Sequence, residues 1–445
     1  MIRQIVLADQ AVIRRKLKTV TRFDTELKKI VQDLLDTMIF ANGAGLAANQ
    51  IGVDAQIFVT GIGPKPQVFI NPKLKILTSK AVSLEEGCLS VPGYRGPVKR
   101  SSSVEITYDD LSGRRKKRIA KGYLARVLQH ESDHLQGRLY LDHINDPALV
   151  QKVIPTKVAF FGSGHFAVPI LISLVGLNWT FDFQTVGVVT QPARPAGRKK
   201  ELRETPVALT AKHFGLSILT PDRLDQNFLE ELKKWQVDLI VLADYGKILP
   251  ANLLKLPRYG ALNIHPSLLP KYRGATPIQQ TILNGDEETG VTLIKMSPEV
   301  DAGGILGQYK MKVNPRSTTL SLSESLSQLG AMILRDLLPY YISGEIKAKP
   351  QSKEGLVAAP KLPRELGRVE PGDTPQDIDR KVRALSPWPG VYTFWKGKRV
   401  KILSTHLERG QLVVERLQPE GGKEMSWNEF KNGYPEFSLV SPQET

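Results

Sequence analysis

Residues 157–174 read KVAFFGSGHFAVPILISL, and this stretch decides the fold of the centre of the chain. Lys157–Phe161 resembles a buried strand, Gly162 and Gly164 allow a turn, and an apolar pattern with helical spacing follows. The same order continues with strand-like runs at Thr185–Thr190, Leu239–Ala243 and Ala261–Ile264, and helix-like runs at Val207–Phe214 and Leu229–Trp235. This alternation predicts a doubly wound α/β domain with a parallel sheet over residues 156–345.

The turn after the first strand, GSGHFA at 162–167, fits the loose G-x-G-x-x-[GA] pattern of dinucleotide-binding folds. Such a site also needs an acidic residue at the end of the second strand, where it binds the ribose hydroxyls. Here the second strand runs into QPAR at 191–194 instead. We therefore predict a Rossmann-like domain that does not bind NAD.

The two flanking regions have different patterns. The first 150 residues mix helix-like runs at Thr25–Phe40 and Lys121–Gly137 with strand-like runs at Gln56–Thr60, Gln67–Asn71 and Ser103–Tyr108. This mixture predicts an α+β domain over residues 1–150. After a long helix at Leu320–Ile342, residues 346–364 are rich in Pro, Lys and Ser and predict a linker, and strand-like runs separated by glycine turns predict a small β module at 365–445.

The composition limits the class of protein. The chain has 445 residues, of which 41% are hydrophobic and 24% charged, as expected of several globular domains. An excess of 61 Lys and Arg over 45 Asp and Glu gives a net charge of +16, which favours a polyanionic partner. The single cysteine excludes intramolecular disulfides, and no membrane span or signal peptide is evident. We therefore expect a cytoplasmic protein without membrane contact.

The N-terminal region contains a candidate metal site. His130 and His134 belong to an H-E-x-x-H motif, and on a helix this spacing places both imidazoles on one face. Glu131 between them can reach a water molecule at the metal. If Cys88 is a third ligand, a tetrahedral divalent metal keeps one open position, which is typical of a catalytic site.

Three segments in this region resemble the peptide deformylase family. They are GAGLAANQ (43–50), EGCLS (86–90) and QHESDHL (129–135). The resemblance implies that Cys88, His130 and His134 bind a divalent metal, commonly Fe²⁺ and replaceable by Zn²⁺, and that Glu131 is the general acid and base. It also implies hydrolysis of the formyl group of N-formylmethionyl nascent peptides.

Two further groups are candidates for stabilising the oxyanion of that reaction. Gln50 has a side-chain amide that can donate a hydrogen bond, and Leu89 has a backbone N–H next to the cysteine.

A second constellation lies in the central domain. Residues 263–274 read NIHPSLLPKYRG at the carboxyl end of a predicted buried strand, where the ligand sites of α/β folds lie. Asn263 and His265 alternate to the same face of an extended segment, which places an amide donor beside a base. Asp301, further along the chain, is a candidate to hold the imidazole.

These residues resemble the signature of the folate-dependent formyltransferases, N-x-H-P-S-L-L-P-x-[YF]-x-G with a downstream Asp. The resemblance implies that 10-formyltetrahydrofolate donates the formyl group, that Asn263 stabilises the tetrahedral oxyanion, and that His265 accepts the amine proton. Asp301 would orient and charge His265. The folate pocket would be lined by Ser267, Leu268, Leu269 and Pro270.

Within that group, four segments are similar to methionyl-tRNA formyltransferases. They are RPAGRKK (194–200), APK (359–361), SPWPGVYT (386–393) and LQPEGGKEMSW (417–427). The resemblance implies that Arg194, Arg198, Lys199 and Lys200 contact the tRNA backbone, because a basic loop can reach acceptor-stem phosphates. It also implies a C-terminal OB-like barrel, which we expect to be shortened because the strand at 399–404 is followed almost directly by the strand at 411–416.

The main hypothesis is therefore a bifunctional enzyme that formylates methionyl-tRNA and deformylates nascent peptides. Two alternatives stay open. The N-terminal domain could act mainly as an RNA- or ribosome-binding module through its basic run at 114–118, or the formyl acceptor could be a small amine. Under the main hypothesis, we expect a chain that ends near Lys347 to retain the folate site.

Overall fold

A computed structural model describes residues 1–41, 43–62, 65–178, 182–196, 201–437 and 439. The chain forms two compact units, one of Met1–Val158 with Ile172–Val186 and one of Ala159–Leu171 with Gly187–Thr445. Within the described ranges, no helix is long and apolar enough to cross a membrane.

The N-terminal region combines two helices with two small sheets, in agreement with the α+β prediction. Its elements are α1 (Thr25–Phe40), β1 (Gly45–Ala47), β2 (Ile57–Thr60), β3 (Gln67–Ile76), β4 (Ala81–Cys88), β5 (Val91–Ser101), β6 (Ser103–Asp109), β7 (Arg115–Lys121), α2 (Gly122–Leu135) and β8 (Gln151–Lys152). One sheet has the order β1-β2-β3-β6-β7, and the other consists of β4, β5 and β8.

The core of this region fixes both helices. Asp24 caps α1 because its carboxylate accepts the Leu27 N–H at 3.1 Å. The buried face of α1 packs against β1 and β2, and in the same core the rings of Phe58 and Phe69 stack at 4.9 Å. Helix α2 buries Ala125, Leu128 and Leu135 in the same core. This packing fixes the rotation of α2 about its axis. The H-E-x-x-H residues are therefore placed beside the end of β4.

The central region contains a seven-stranded sheet. Its elements are β9 (Thr156–Gly162), α3 (Ala167–Leu177), β10 (Phe183–Val189), β11 (Arg194–Ala196), β12 (Glu201–Arg203), α4 (Pro206–His213), β13 (Ser217–Leu219), α5 (Gln226–Lys234), β14 (Leu239–Ala243), α6 (Ala251–Lys255), β15 (Ala261–His265), β16 (Lys271–Gly274), α7 (Pro277–Leu283), β17 (Glu288–Lys295), β18 (Gly304–Lys312) and α8 (Thr319–Ser343). The strand order is β13-β10-β9-β14-β15-β17-β18.

This sheet is mixed, which differs from the parallel sheet predicted from sequence. Strand β10 is parallel to β13, and β14 is parallel to β15, but β17 pairs antiparallel with both β15 and β18. The connection between β17 and β18 is too short for a crossover helix, so these two strands form a hairpin. The hairpin matters for function because its loop carries Asp301.

The C-terminal elements are β19 (Val357–Ala359), α9 (Pro375–Leu385), β20 (Val391–Trp395), β21 (Lys398–Glu408), β22 (Gln411–Pro419), β23 (Met425–Ser426) and α10 (Trp427–Gly433). Strands β20 to β23 form an antiparallel sheet in chain order. Arg409 and Gly410 both have positive φ angles and join β21 to β22 in a tight turn. Residues 346–364, which we call the connecting segment, are structured rather than a free linker, because β19 within them pairs parallel with β16.

Candidate active sites

The three sequence-predicted metal ligands lie together. Cys88 ends β4, and His130 and His134 lie one turn apart on α2. Their ligand atoms are all within 4.8 Å of one another, and Cys88 Sγ is 3.2 Å from His134 Nε2. A thiolate and two imidazoles in this geometry are a suitable donor set for a divalent metal with an open fourth position.

Two buried polar atoms beside these ligands support the same fit. Among the described residues, neither Glu131 Oε2 nor His134 Nδ1 has a hydrogen-bond partner. Burial raises the pKa of Glu131 to about 7, which is suitable for a group that must both accept and release a proton. Burial, followed by the charge of His130, lowers the pKa of His134 and favours the neutral imidazole that binds metals.

Two of the ligands, Cys88 and His130, face a cavity of about 290 Å³ that is also lined by Gln50, Leu89 and Glu131. The Gln50 amide nitrogen lies 3.6 Å from Cys88 Sγ and donates to Ser90 Oγ at 3.2 Å. Its oxygen accepts the Ala47 N–H at 2.8 Å, which fixes the direction of the amide. Gln50 and Leu89, the residues predicted to supply the oxyanion donors, therefore line the same cavity as Cys88 and His130.

The glycine-rich segment before Gln50 makes room for Glu131. A Cβ added to Gly45 would lie 2.5 Å from Glu131 Oε1, closer than real Cβ contacts come. The carboxylate therefore needs glycine at this position.

Glu86 is a site residue that the sequence did not single out. Its carboxylate accepts two hydrogen bonds from Arg100 at 3.0 Å, one from Arg126, and lies 3.0 Å from His130 Nδ1. These bonds, from His130 and Arg100 first, outweigh the effect of burial and lower the pKa of Glu86 to about 2. An ionised Glu86 makes His130 donate from Nδ1 and directs Nε2 toward the metal position. The available sequence signal was its place two residues before Cys88.

The formyl transfer residues also lie together. Asn263 and His265 are buried at the end of β15, and Asp301 lies in the β17–β18 loop. Asp301 Oδ1 accepts from Asn263 Nδ2 at 3.1 Å, and Asp301 Oδ2 accepts the Gly274 N–H at 2.9 Å. The carboxylate therefore fixes the amide of Asn263 and the loop that follows His265.

The orientation of His265 differs from the prediction. Its Nε2 lies 2.8 Å from the carbonyl oxygen of Tyr272, whereas its Nδ1 is 3.6 Å from Asp301 Oδ2. Because a carbonyl only accepts, Nε2 carries the proton and a neutral His265 has its lone pair on Nδ1, toward Asp301. The hydrogen bond that orients the imidazole is thus to Tyr272, and the contact with Asp301 is too long to be one.

The predicted folate residues have scaffold contacts in this structure. Ser267 is buried and its hydroxyl donates to Lys271 O at 2.6 Å, while the Leu269 N–H donates to Thr292 Oγ1 at 3.1 Å. Leu268 and Pro270 are partly exposed. A cavity of about 110 Å³ beside Asn263 and Asp301 is instead lined by residues from β14, from the segment after it and from the β17–β18 loop, including Leu242, Lys247, Ile248, Met296 and Val300.

The predicted tRNA contacts are only partly described. Arg194 is exposed in β11, and its guanidinium donates to Gln191 Oε1 at 3.1 Å. Arg198, Lys199 and Lys200 lie outside the described residues. The basic run at 114–118 is partly neutralised, since Arg115 and Lys117 form ion pairs with Asp109 and Glu105.

In a comparison with known families, the regions that carry the two sites match different families. Residues 2–149 match the polypeptide deformylase family, residues 156–338 match the formyl transferase family, and residues 361–411 match the C-terminal domain of formyl transferases.

Individual known proteins are similar to different parts of the chain. A methionyl-tRNA formyltransferase of Myxococcus xanthus is 37% identical over 301 residues, which are 62% of this chain and 95% of that protein. One from Chloroflexus aggregans is 42% identical over 249 residues, 56% of this chain and 79% of that protein. Among solved structures, a peptide deformylase from Thermotoga maritima is 36% identical with a TM-score of 0.32, covering 33% of this chain and 99% of that one.

Proposed function

This chain belongs to the methionyl-tRNA formyltransferase family and carries a deformylase domain ahead of it, and we propose that it catalyses two reactions of the N-formylmethionine cycle. One is transfer of a formyl group from 10-formyltetrahydrofolate to the amine of methionyl-tRNA. The other is hydrolysis of that group from N-formylmethionyl peptides. The observation that carries the proposal is that the candidate reactive groups of each site lie close together, Cys88, His130 and His134 with Glu131 in the first and Asn263, His265 and Asp301 in the second.

For deformylation, Cys88, His130 and His134 would hold the metal, with Fe²⁺ as our first candidate and Zn²⁺ as the second. When bound, a divalent cation supplies Lewis-acid polarisation and lowers the pKa of water. Glu131 would take the proton from that water and deliver it to the leaving amine, a role that suits its raised pKa. The Gln50 amide, which donates to Cys88 Sγ and Ser90 Oγ in this structure, would turn one N–H to the oxyanion, and the Leu89 N–H would be the second donor.

For formyl transfer, the Asn263 amide has two N–H groups, of which one binds Asp301. The other would donate to the oxyanion of the tetrahedral intermediate. His265 would accept the amine proton at Nδ1, because Nε2 is already engaged by Tyr272. The nearby Asp301 carboxylate stabilises the imidazolium that forms.

The folate and the tRNA are larger ligands, and further parts of the chain would bind them. Ser267, Leu268, Leu269 and Pro270 would shape one wall for the folate through the backbone they hold. The basic loop 194–200 and the C-terminal module, as a shortened OB-like barrel, would bind the tRNA backbone. A net charge of +16 supports a nucleic-acid partner.

Two assays on one preparation of the full chain test this function. We expect hydrolysis of a formyl-Met peptide and, with 10-formyltetrahydrofolate, formylation of methionyl-tRNA. Retained metal without peptide hydrolysis would make the N-terminal domain a binding module. Formylation of a small amine in preference to methionyl-tRNA would identify a different acceptor.

A further inference from the structure

The connecting segment is bound to the loop that follows His265. Strand β19 pairs with β16 from Lys271 to Gly274, and the Ala275 N–H donates to Ala359 O at 2.7 Å. The Thr276 hydroxyl donates to Pro360 O at 2.7 Å. A Cβ at Gly274 would lie 2.5 Å from Ala359 O, so the backbones of the two segments are in close contact. The segment is therefore part of the scaffold around the transfer site.

One side chain of the connecting segment joins two loops of that site. The Gln351 amide nitrogen donates to Asp301 O and to Gly303 O, both at 2.7 Å. The Gln351 oxygen accepts from Arg273 Nε at 3.0 Å and from Arg273 Nη2 at 2.8 Å. Both N–H groups and the carbonyl of this amide are thus used. Arg273 belongs to the loop after His265, and the two carbonyls belong to the loop of Asp301.

The loop of Asp301 needs such support. Asp301 has φ of 51°, a left-handed conformation that is uncommon and costly for a residue other than glycine. Two residues later, a Cβ on Gly303 would lie 2.0 Å from Lys295 O, so the turn is tightly constrained. The Gln351 amide binds the carbonyl oxygens of Asp301 and Gly303, and so holds the two residues of this turn at a fixed separation.

We propose that Gln351 is a positioning residue for formyl transfer, which holds the Asp301 backbone in its left-handed conformation and fixes it relative to the loop after His265. Gln351 does not face the reacting atoms. It acts through Asp301, whose carboxylate fixes Asn263 and the Gly274 N–H. The inference rests on the proposed formyltransferase function, because its effect is on Asn263, His265 and Asp301.

The decisive variant is Gln351→Glu in the full chain. It keeps the size of the side chain and the acceptor for Arg273, but it replaces the two N–H donors with a carboxylate oxygen that faces two carbonyls. We expect kcat for formylation to fall about 10- to 100-fold, since small displacements of reacting groups cost about that much. KM for methionyl-tRNA should change by no more than about twofold, because the tRNA contacts are elsewhere. The matched control is Gln376→Glu, which makes the same charge change at an exposed position of α9.

Three measurements separate the outcomes. Peptide deformylation by the same molecule should stay at the wild-type rate, the unfolding temperature should fall by no more than about 2–4 °C, and Gln351→Ala should lower kcat in the same direction. The positioning role is wrong if Gln351→Glu keeps the wild-type kcat for formylation. It is also wrong if the rate of deformylation falls by the same factor as the rate of formylation and the unfolding temperature falls with them, because the variant then disturbs the whole fold. Asp301→Asn tests the function itself. If Asp301→Asn leaves formylation intact, the proposed formyltransferase chemistry is wrong. If Asp301→Asn abolishes formylation but Gln351→Glu keeps wild-type activity, only the positioning role of Gln351 is wrong.

Discussion

The two active sites differ in how their buried polar groups are satisfied. In the metal site, Glu131 Oε2 and His134 Nδ1 have no partner among the described residues, although both are buried. In the transfer site, both oxygens of Asp301 and the Nε2 atom of His265 are bound by protein groups. A buried polar atom without a partner costs about 1–3 kcal/mol. The first site is therefore prepared for a bound ion and water, whereas the second is held in place by the protein alone.

The sites also differ in how much of the chain builds them. The metal ligands come from two short motifs, and the carboxylate that orients His130 belongs to one of them. The transfer site needs the end of β15, the loop after it, the β17–β18 loop and Gln351 of the connecting segment. We conclude that the metal site tolerates changes elsewhere in the chain better than the transfer site does. Four changes test this contrast.

The largest effect is expected for Glu131→Gln. The change removes the proton acceptor but keeps the metal ligands, so deformylation should fall by about 10²–10⁴-fold while metal content and formylation stay unchanged. Metal content by mass spectrometry and the two activity assays measure this. Loss of metal would show that Glu131 has a role in holding it.

His265→Ala should produce the reverse pattern. Removal of the base should lower formylation by about 10²–10⁴-fold and leave deformylation at the wild-type rate. His213→Ala, at an exposed position of α4, is the matched control and should change neither activity. If His265→Ala reduced both activities equally, the two sites would not be independent.

A smaller effect is expected for Glu86→Gln, which weakens the hydrogen bond to His130 Nδ1. Metal affinity should fall about 10- to 100-fold, as is typical when a partner of a metal ligand is removed. Glu26→Gln, at an exposed position of α1, is the control. Unchanged metal affinity would limit Glu86 to a structural ion pair.

Glu86→Gln should also change how the stability of the chain depends on pH. The pKa of Glu86 is lowered from 4.5 to about 2, so its ion pairs contribute their full stability above pH 4.5 and lose it as the pH falls toward 2. Stability of the metal-free wild-type chain should therefore fall with acid in this range. Glu86→Gln should be less stable above pH 4.5 and less sensitive to acid below it, as measured by denaturant unfolding. A parallel pH dependence in both chains would contradict this.

The smallest effect on the chemistry is expected from the basic loop. Replacing Arg198, Lys199 and Lys200 with Ala removes up to three phosphate contacts, so the slope of log affinity for tRNA against log salt should flatten by about two to three. Binding across a salt titration measures it. Removing three exposed charges from the N-terminal region, at Arg22, Lys28 and Lys29, is the control for net charge. An equal flattening in both variants would exclude a specific loop contact.

The sequence could predict which candidate residues lie side by side, because the helical period and strand alternation already place them. His130 and His134 share a face of any helix, and Asn263 and His265 share a face of any strand. The supporting contacts could not be predicted in this way. The partner of His265 is a backbone carbonyl, which no side chain identifies, and Gln351 reaches Asp301 only after the chain has folded.

The expected effect of truncation changes for the same reason. Residues 346–364 have the composition of a linker, which predicts that a chain ending near Lys347 retains the folate site. In the folded chain these residues supply β19 and the Gln351 amide to the loops of the transfer site. Such a truncation removes part of the catalytic scaffold together with the C-terminal module.

Lys353 lies exposed between Gln351 and β19. Trypsin cleavage at this residue would leave Gln351 at the end of one fragment and β19 near the start of the other, with each still hydrogen-bonded to the loops around His265 and Asp301. The two fragments should therefore co-purify as a nicked complex that keeps formylating, and separate only when the protein is denatured.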